Sequence, residues 1–377
     1  MALINYITQV QFGYGSAAQL QEECTRLGIQ RPLIVTDGGI RQAGLLDRIQ
    51  AVLAQPAAVF DQTPPNPNEN AVRAAVALYR EHQCDGVIAL GGGSPIDLAK
   101  GVAVCATHPG PLRQFAVIEG GLVRITAATA PVIAIPTTAG TGSEVGRGAI
   151  LILDDGRKVG VISPFVVPKV AICDPELTLG LPARMTAATG MDAIAHCMET
   201  FMAPAFNPPA DGIALDGLRR AWAHIETATR EPGNRDARLN MMSASMQGAL
   251  AFQKGLGCVH SLSHSLGGIN PSLHHGTLNA ILLPAVIRFN ASAETMIQDD
   301  KLARLAQAMG LPAGADVADA VRALTERLGL PTRLSELDIG PDLFERIITG
   351  ALADHSHKTN PLDASPEDYR RILEQSL

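Results

Sequence analysis

The two halves of this chain follow different sequence periods, and this change limits the possible folds more than any other feature. Up to Asp174, short β-branched runs alternate with segments of helical period, a pattern typical of a parallel sheet covered by helices. After Pro175 a period of about 3.6 residues continues to the C-terminus. The sequence therefore predicts a Rossmann-like α/β domain over residues 1–178 and an all-helical domain over residues 179–377.

Individual elements can be predicted from the same pattern. The expected strands of the sheet are 32–36, 57–60, 86–90, 131–135 and 170–173, and a hairpin is expected from 149–153 and 158–162. Asn68 is expected to cap a helix over 69–83. The expected helices of the second half are 182–202, 211–229, 235–253, 278–290, 302–309, 316–328 and 341–353.

Composition narrows the class of protein. Hydrophobic residues make up 46% of the chain and charged residues 18%, which favours a well-buried enzyme over a disordered chain. A net charge of −7 without a basic run argues against a nucleic acid or an anionic membrane as partner and favours a small-molecule substrate. We expect a cytoplasmic protein, because the sequence lacks an apolar run for a membrane span and a secretory signal. The six cysteines are scattered, so ligands of the His and carboxylate type are expected at any metal site.

A glycine-rich loop follows the predicted strand 86–90. Gly91, Gly92 and Gly93 lead into Ser94 and Pro95, which we interpret as the N-cap and first residue of a helix. Backbone N–H groups at a helix N-terminus can bind a pyrophosphate. The alternative is a tight strand-to-helix turn without a ligand.

A second polar loop favours the nucleotide interpretation. The segment 136–144, PTTAGTGSE, follows the strand 131–135 and is too polar for a buried turn without a ligand. Two such loops at the carboxyl ends of parallel strands are typical of a nucleotide site. Asp37, after another strand, would accept from the adenosine ribose and favour NAD over NADP, although a helix-capping role fits its position equally well.

Four of the 10 histidines lie between residues 255 and 280. His260 and His264 are four residues apart and would share a helix face. His274 and His275 follow the run 267–271, GGINP, where the chain can turn back. Asp192 and His196 repeat the spacing of four, either as an ion pair on a helix surface or as further ligands. One carboxylate and three imidazoles would suit Fe²⁺ or Zn²⁺.

Across essentially its whole length the sequence resembles the iron-dependent (group III) alcohol dehydrogenases. The resemblance is carried by GGGSPIDLAK, PTTAGTGSEV, GMDAIAHCMET, GLGCVHSLSHSLGG and HHGTLNAILLP, which stand in the family's order. It implies the dehydroquinate synthase-like fold shared by these enzymes, an NAD(H) cofactor and a homodimer. The metal ligands that it implies are Asp192, His196, His260 and His275, with His274 as the alternative to His275.

The resemblance also implies residues that bind the cofactor: Gly91, Gly92, Gly93, Ser94, Asp97, Thr137, Thr138, Thr141, Ser143 and Lys158. His264 matches the histidine near the nicotinamide, where it would move a proton; the alternative is a packed helix histidine. The expected reaction is reversible hydride transfer between a primary alcohol, or its aldehyde, and the nicotinamide. Arg147 and Lys254 suggest a substrate with an anionic group, although both could be surface charges.

Two other enzyme classes share this general architecture. A lyase similar to dehydroquinate synthase would need more Lys and Arg near residues 260–276 than the sequence provides. A zinc enzyme similar to glycerol dehydrogenase fits the PTTAGTGSEV and DAIAH motifs less well. A non-catalytic binding protein is disfavoured by the complete set of ligands.

Overall fold

The computed structural model describes residues 8–377. These divide into two compact units, one formed by residues 8–138 and 142–180 and the other by residues 139–141 and 181–377. The assignment of residues 1–178 and 179–377 to separate domains stays a prediction.

The first unit is built on a parallel sheet of six strands, five of which the sequence predicted. In chain order the strands are β1 (Gln9–Phe12), β2 (Pro32–Val35), β3 (Ala58–Phe60), β4 (Gly86–Gly91), β5 (Val132–Pro136) and β8 (Val170–Cys173). Their order across the sheet is β1-β8-β5-β4-β2-β3. The predicted hairpin is present as β6 (Gly148–Ile152) and β7 (Lys158–Ile162). Strand β1 was not predicted.

Helices and the hairpin cover both faces of this sheet. The helices are α1 (Leu20–Arg26), α2 (Gly38–Gln42), α3 (Leu45–Gln50), α4 (Glu69–Glu81) and α5 (Gly93–Thr107). Side chains of α4, α5 and the hairpin pack on one face, and side chains of α1 and α3 pack on the other. Because both faces are covered, β2, β4, β5 and β8 are buried along their whole length.

The second unit is helical, and no strand occurs in residues 181–377. Its helices are α6 (Ala183–Met202), α7 (Pro208–Arg230), α8 (Arg235–Ala251), α9 (Cys258–Ile269), α10 (His275–Asn290), α11 (Glu294–Gln298), α12 (Lys301–Ala308), α13 (Val317–Arg327), α14 (Phe344–Ala353) and α15 (Pro366–Gln375). Helix α6 packs against α7, α8 and α10 and is buried from Thr186 to its last residue. Among residues 8–377 no helix combines the length and apolar character needed to span a membrane.

Three local predictions were wrong. Ser94 does not cap α5, because the helix begins at Gly93 and Gly92 is its N-cap. Gly267 and Gly268 belong to α9, so the chain turns only after Ile269. Helix α10 begins at His275 and not at Leu278, which places the histidine in the first helical turn.

Candidate metal centre

Three helices of the second unit each present a pair of polar side chains with a spacing of four residues. This spacing puts both members of a pair on the same helix face. The pairs are Asp192 and His196 on α6, His260 and His264 on α9, and His275 and Asn279 on α10. The first two were expected to share a face from the sequence, whereas Asn279 was not singled out.

Four of these side chains converge on one point. The Oδ1 atom of Asp192 lies 3.8 Å from His196 Nε2, 3.7 Å from His260 Nε2 and 3.6 Å from His275 Nε2. Ligand atoms about 2.0–2.2 Å from a common ion in a tetrahedral site are separated by about 3.3–3.6 Å. Asp192, His196 and His260 are all buried. The ligand atoms of Asp192, His196 and His260 all lie within 4.8 Å of one another, and His275 reaches the same oxygen of Asp192. The four side chains therefore offer the donor types that bind a divalent metal ion.

The structure distinguishes the two adjacent histidines by position. His275 directs Nε2 toward Asp192, whereas His274 is the N-cap residue of α10. Gly276 makes this approach possible, because a Cβ atom at this position would lie 2.0 Å from the carbonyl oxygen of Ala188 on α6. The first turn of α10 can thus abut α6, and His275 is the histidine that joins the cluster.

Glu199 bonds to the ring nitrogen of His260 that does not face Asp192. Its Oε2 atom accepts a short hydrogen bond from Nδ1 of His260, and its Oε1 atom accepts from the backbone N–H of Val259 at 2.8 Å. Glu199 thus holds a proton on Nδ1, so Nε2, once it has lost its own proton, is the nitrogen whose lone pair a metal can bind. Glu199 stands seven residues after Asp192 on α6, so the same helix supplies a ligand and the support for another ligand.

Asn279 lies at the centre of the cluster. Its side-chain amide donates to Asp192 Oδ1 at 2.7 Å and lies 3.3 Å from His260 Nε2 and 3.2 Å from His275 Nε2. The residue is completely buried. It therefore orients the carboxylate of Asp192 among the imidazoles.

The charges of the cluster favour a cation. Burial lowers the pKa of His196 to about 4, although the Asp192 carboxylate opposes the shift. Burial also acts to lower the pKa of His260, but the carboxylates of Glu199 and Asp192 outweigh it and raise the pKa to about 9. Burial acts to raise the pKa of Asp192, and the neighbouring imidazoles nevertheless hold it well below its usual range. The carboxylate of Asp192 thus carries a buried negative charge, which a divalent cation would compensate.

His264 lies beside this cluster and is bonded to a carboxylate from another helix end. Its Nδ1 atom is 3.0 Å from Oδ2 of Asp354, which follows α14. Its ring stacks on that of His275 with centroids 5.2 Å apart. Burial acts to raise the pKa of Asp354, but the charge of His264 holds it well below its usual range. His264 is therefore an oriented imidazole next to the candidate metal ligands.

Lys254 does not have the role suggested from the sequence. It is buried, forms an ion pair with Asp211 and donates to the carbonyl oxygen of Phe201 at 3.3 Å. Its charge is paired inside the helical unit, so Lys254 is not a surface cation available to a substrate. Arg147, the other suggested residue, is exposed.

The glycine-rich loop of the sheet unit forms a strand-to-helix turn of the expected type. Gly91 ends β4 with φ of 146°, and a Cβ atom there would lie 2.6 Å from the ring of Pro95. Gly92 faces the side chain of Thr138, so the two predicted nucleotide loops lie side by side. The N-terminus of α5 at Gly93 is thus bordered by backbone without side chains, a geometry that suits a phosphate group.

A buried lysine that was not singled out from the sequence organises the second loop. Lys100 on α5 is fully buried and donates to Ser143 Oγ at 2.8 Å and to the carbonyl oxygens of Ser143, Gly146 and Gly148 at 2.7–3.0 Å. Ser143 Oγ in turn donates to Asp97 Oδ1 at 2.6 Å. Asp97 and Ser143 are therefore joined to each other and to the loop backbone.

Three threonines at the carboxyl ends of the strands have buried hydroxyl groups without a partner among residues 8–377: Thr36 after β2, Thr63 after β3 and Thr137 after β5. Buried hydroxyl groups normally have hydrogen-bond partners, so these atoms favour a polar ligand at this edge. Only Thr137 was singled out from the sequence.

The remaining predicted cofactor residues have partners inside the protein. Asp37 caps α2 by accepting from the N–H of Ile40 at 2.9 Å, so the capping alternative is realised. Lys158 donates to Asn66 Oδ1 at 3.0 Å. Thr141 belongs to the segment 139–141, which groups with the helical unit.

Comparisons with known proteins agree with this geometry. The family model for iron-containing alcohol dehydrogenases matches residues 8–175, and the model for the C-terminal part of the same family matches residues 186–377. A 4-hydroxybutyrate dehydrogenase of Cupriavidus necator is 63% identical over 100% of both chains. A 1,3-propanediol dehydrogenase of Klebsiella pneumoniae is 35% identical over 97% of this chain and 96% of the relative.

Solved structures are similar to this chain over nearly its whole length. A 1,3-propanediol oxidoreductase superposes with a TM-score of 0.94 at 34% identity, covering 100% of both chains. A sulfoacetaldehyde reductase of Bifidobacterium kashiwanohense, solved with NAD⁺, superposes with a TM-score of 0.89 at 27% identity, covering 99% of this chain and 98% of the other. The chain is an oxidoreductase and belongs to the iron-containing alcohol dehydrogenase family.

Proposed function

We propose that this enzyme catalyses the reversible, NAD-dependent oxidation of the terminal alcohol of a short ω-hydroxy acid, with 4-hydroxybutyrate as the substrate. The observation that carries the choice of substrate is the 63% identity, over the full length of both chains, to a 4-hydroxybutyrate dehydrogenase. Oxidation of this alcohol gives the corresponding four-carbon semialdehyde.

Asp192, His196, His260 and His275 would hold the metal. The support is that the three imidazole Nε2 atoms lie 3.6–3.8 Å from Asp192 Oδ1, together with the buried negative charge of Asp192. Membership of the iron-containing family favours Fe²⁺, although Zn²⁺ accepts the same donors. When bound, the metal would supply Lewis-acid chemistry for the alcohol and the nicotinamide would supply the hydride acceptor.

The protein's own part in the reaction is to orient groups and to move a proton. Glu199 keeps the proton of His260 on Nδ1, and Asn279 holds the Asp192 carboxylate. Asp354 fixes the ring of His264 through Nδ1, so Nε2 is the atom at which His264 would take up the alcohol proton.

The cofactor would be held by the two loops of the sheet unit. Gly91, Gly92 and Gly93 would accommodate the pyrophosphate at the N-terminus of α5, next to Ser94. The unpartnered hydroxyl group of Thr137 and the side chain of Thr138 lie at the same edge. Asp97 and Ser143 would act by shaping the loop with Lys100, and Asp37, Thr141 and Lys158 stay predicted contacts. The homodimer and the cytoplasmic location also stay predictions.

Steady-state kinetics test the choice of substrate. The experiment compares 4-hydroxybutyrate with 1,4-butanediol, which has the same chain length and lacks the carboxylate, by following NADH formation. The proposal expects kcat/KM to be at least about tenfold higher for 4-hydroxybutyrate, which corresponds to roughly 1.4 kcal/mol. If Arg147 recognises the carboxylate, Arg147→Ala lowers kcat/KM for 4-hydroxybutyrate and leaves kcat/KM for 1,4-butanediol unchanged. Equal values for both alcohols in the wild-type enzyme would contradict the proposal.

A further inference from the structure

A second cluster of metal-binding side chains lies beside the candidate metal centre and shares no residue with its four proposed ligands. It consists of His264, Asp354 and His355, whose ligand atoms all lie within 4.8 Å of one another. His264 comes from α9, whereas Asp354 and His355 follow α14. Two imidazoles and one carboxylate are a donor set that binds divalent transition metals and leaves positions for water.

The cluster consists of a hydrogen-bonded pair with a third potential ligand beside it. His264 Nδ1 is 3.0 Å from Asp354 Oδ2, and His355 Nδ1 is 3.6 Å from Asp354 Oδ1. The second distance exceeds that of an N–H···O hydrogen bond, which is about 2.7–3.2 Å. His355 therefore approaches the carboxylate without a hydrogen bond to it.

The cluster is also held in place. Asp354 Oδ1 accepts from the backbone N–H of Ser356 at 2.8 Å, which fixes the carboxylate at the start of a 3₁₀ helix. The rings of His264 and His355 are nearly parallel, with centroids 5.9 Å apart and planes inclined by 21°. Such a pre-arranged set needs little reorganisation to take up an ion.

Exposure gives the cluster an entrance. The side chains of His264 and Asp354 are each 10% exposed, whereas that of His355 is 34% exposed. An ion from solution can reach His355 first and then the buried pair behind it. Since His264 also stacks on His275, an ion held here would engage the imidazole nearest to the candidate metal centre.

We propose that His264, Asp354 and His355 form a second, inhibitory site for a divalent transition metal, represented by Zn²⁺. An ion at this site binds Nδ1 of His264, and the proton of Nδ1 shifts to Nε2. Nε2 then has no lone pair with which to take up the substrate proton, so turnover stops. The inhibition rests on the role proposed above for His264, whereas the binding of the ion does not.

Titration of the iron-loaded enzyme with Zn²⁺ tests this site. Calorimetry is expected to detect one Zn²⁺ per chain beyond the retained iron, and metal analysis afterwards verifies that iron has not been displaced. His355→Ala is expected to weaken this binding at least about tenfold and to keep the wild-type rate when Zn²⁺ is absent, because the first set of ligands is intact. The matched control is His224→Ala, which removes a histidine 3.7 Å from the carboxylate of Asp236 elsewhere in the helical unit; it should bind Zn²⁺ as the wild type does.

Inhibition is measured on the same proteins. Zn²⁺ is expected to inhibit the wild type and the His224→Ala control at the same concentration, and to inhibit His355→Ala only at a concentration at least about tenfold higher. No additional Zn²⁺ in the wild type, or unchanged binding in His355→Ala, would overturn the site. Binding that His355→Ala abolishes without any inhibition of the wild type would overturn its inhibitory role. An iron-loaded enzyme that is inactive before Zn²⁺ is added would instead contradict the proposed function.

Discussion

The carboxylate of Glu199 on α6 accepts the Nδ1 proton of His260 on α9, and this bond fixes which nitrogen of His260 faces Asp192. We expect Glu199→Gln to weaken metal binding by about 10–100-fold, because a neutral amide supports the imidazole less well than a carboxylate. Competition with a chelator measures the metal affinity, and the melting temperature of the metal-free protein serves as the control for folding. An unchanged metal affinity would show that Glu199 only fills space.

His275 and His274 offer a matched pair of substitutions. His275→Ala should lose most of its bound metal, since Nε2 of His275 lies 3.6 Å from Asp192 Oδ1. His274→Ala should retain the metal, because His274 lies outside the cluster as the N-cap of α10. Metal content per chain after anaerobic reconstitution distinguishes them, and loss of metal from His274→Ala alone would reverse the assignment.

Lys100 is expected to stabilise the loop after β5. Lys100→Met leaves the partly buried Asp97 without its cation and the carbonyl oxygens of Ser143, Gly146 and Gly148 without a donor. We expect a loss of about 3–5 kcal/mol in the free energy of unfolding, together with weaker binding of NAD⁺. Urea denaturation measures the free energy of unfolding. The control is Lys169→Met, an exposed lysine of the same unit, which should change stability by less than about 0.5 kcal/mol. Equal stabilities of the two variants would contradict this role.

Glu144 gives the stability a predictable dependence on pH. Burial raises its pKa to about 7 from the ordinary 4.5, although Lys100 opposes the shift. The folded protein then favours the protonated carboxyl, so its contribution to stability is complete below pH 4.5 and is lost as the pH rises through 7. Glu144→Gln lacks this ionisation. Relative to the wild type, the variant should therefore gain on the order of 2–3 kcal/mol of unfolding free energy between pH 5 and pH 8. Urea denaturation at both pH values measures the change, and a constant difference would contradict the account.

Local patterns were sufficient to predict much of the fold. The β-branched runs before Asp174 became parallel strands, because a strand buried on both faces is apolar along its length. The period of 3.6 after Asp174 became helices, because this period places apolar residues on one helix face. Strand β1 escaped prediction because its short, partly exposed sequence QVQF becomes a strand through pairing with β8, far away in the chain. The start of α5 was misplaced because Gly92, without a capping side chain, precedes the helix.

The candidate site was predictable where its residues share a helix face. Asp192 with His196 and His260 with His264 have the spacing that brings both side chains to one side. Glu199, Asn279 and Asp354 act through contacts between helices, which sequence spacing does not reveal. For Asn279 a signal did exist, since it follows His275 by four residues. For Lys100 there was none, because lysine is seldom fully buried.

Asp192 and the three histidines around it are proposed to form the metal centre at which the alcohol is oxidised. Anaerobic titration of the metal-free enzyme with Fe²⁺, with the initial rate of NADH formation from 4-hydroxybutyrate as the readout, tests it most directly. The rate of the wild-type enzyme is expected to rise in proportion to added Fe²⁺ up to one ion per chain. The Asp192→Asn variant is expected to bind iron weakly and to stay inactive. A full rate without metal, or a wild-type rate in Asp192→Asn, would contradict it.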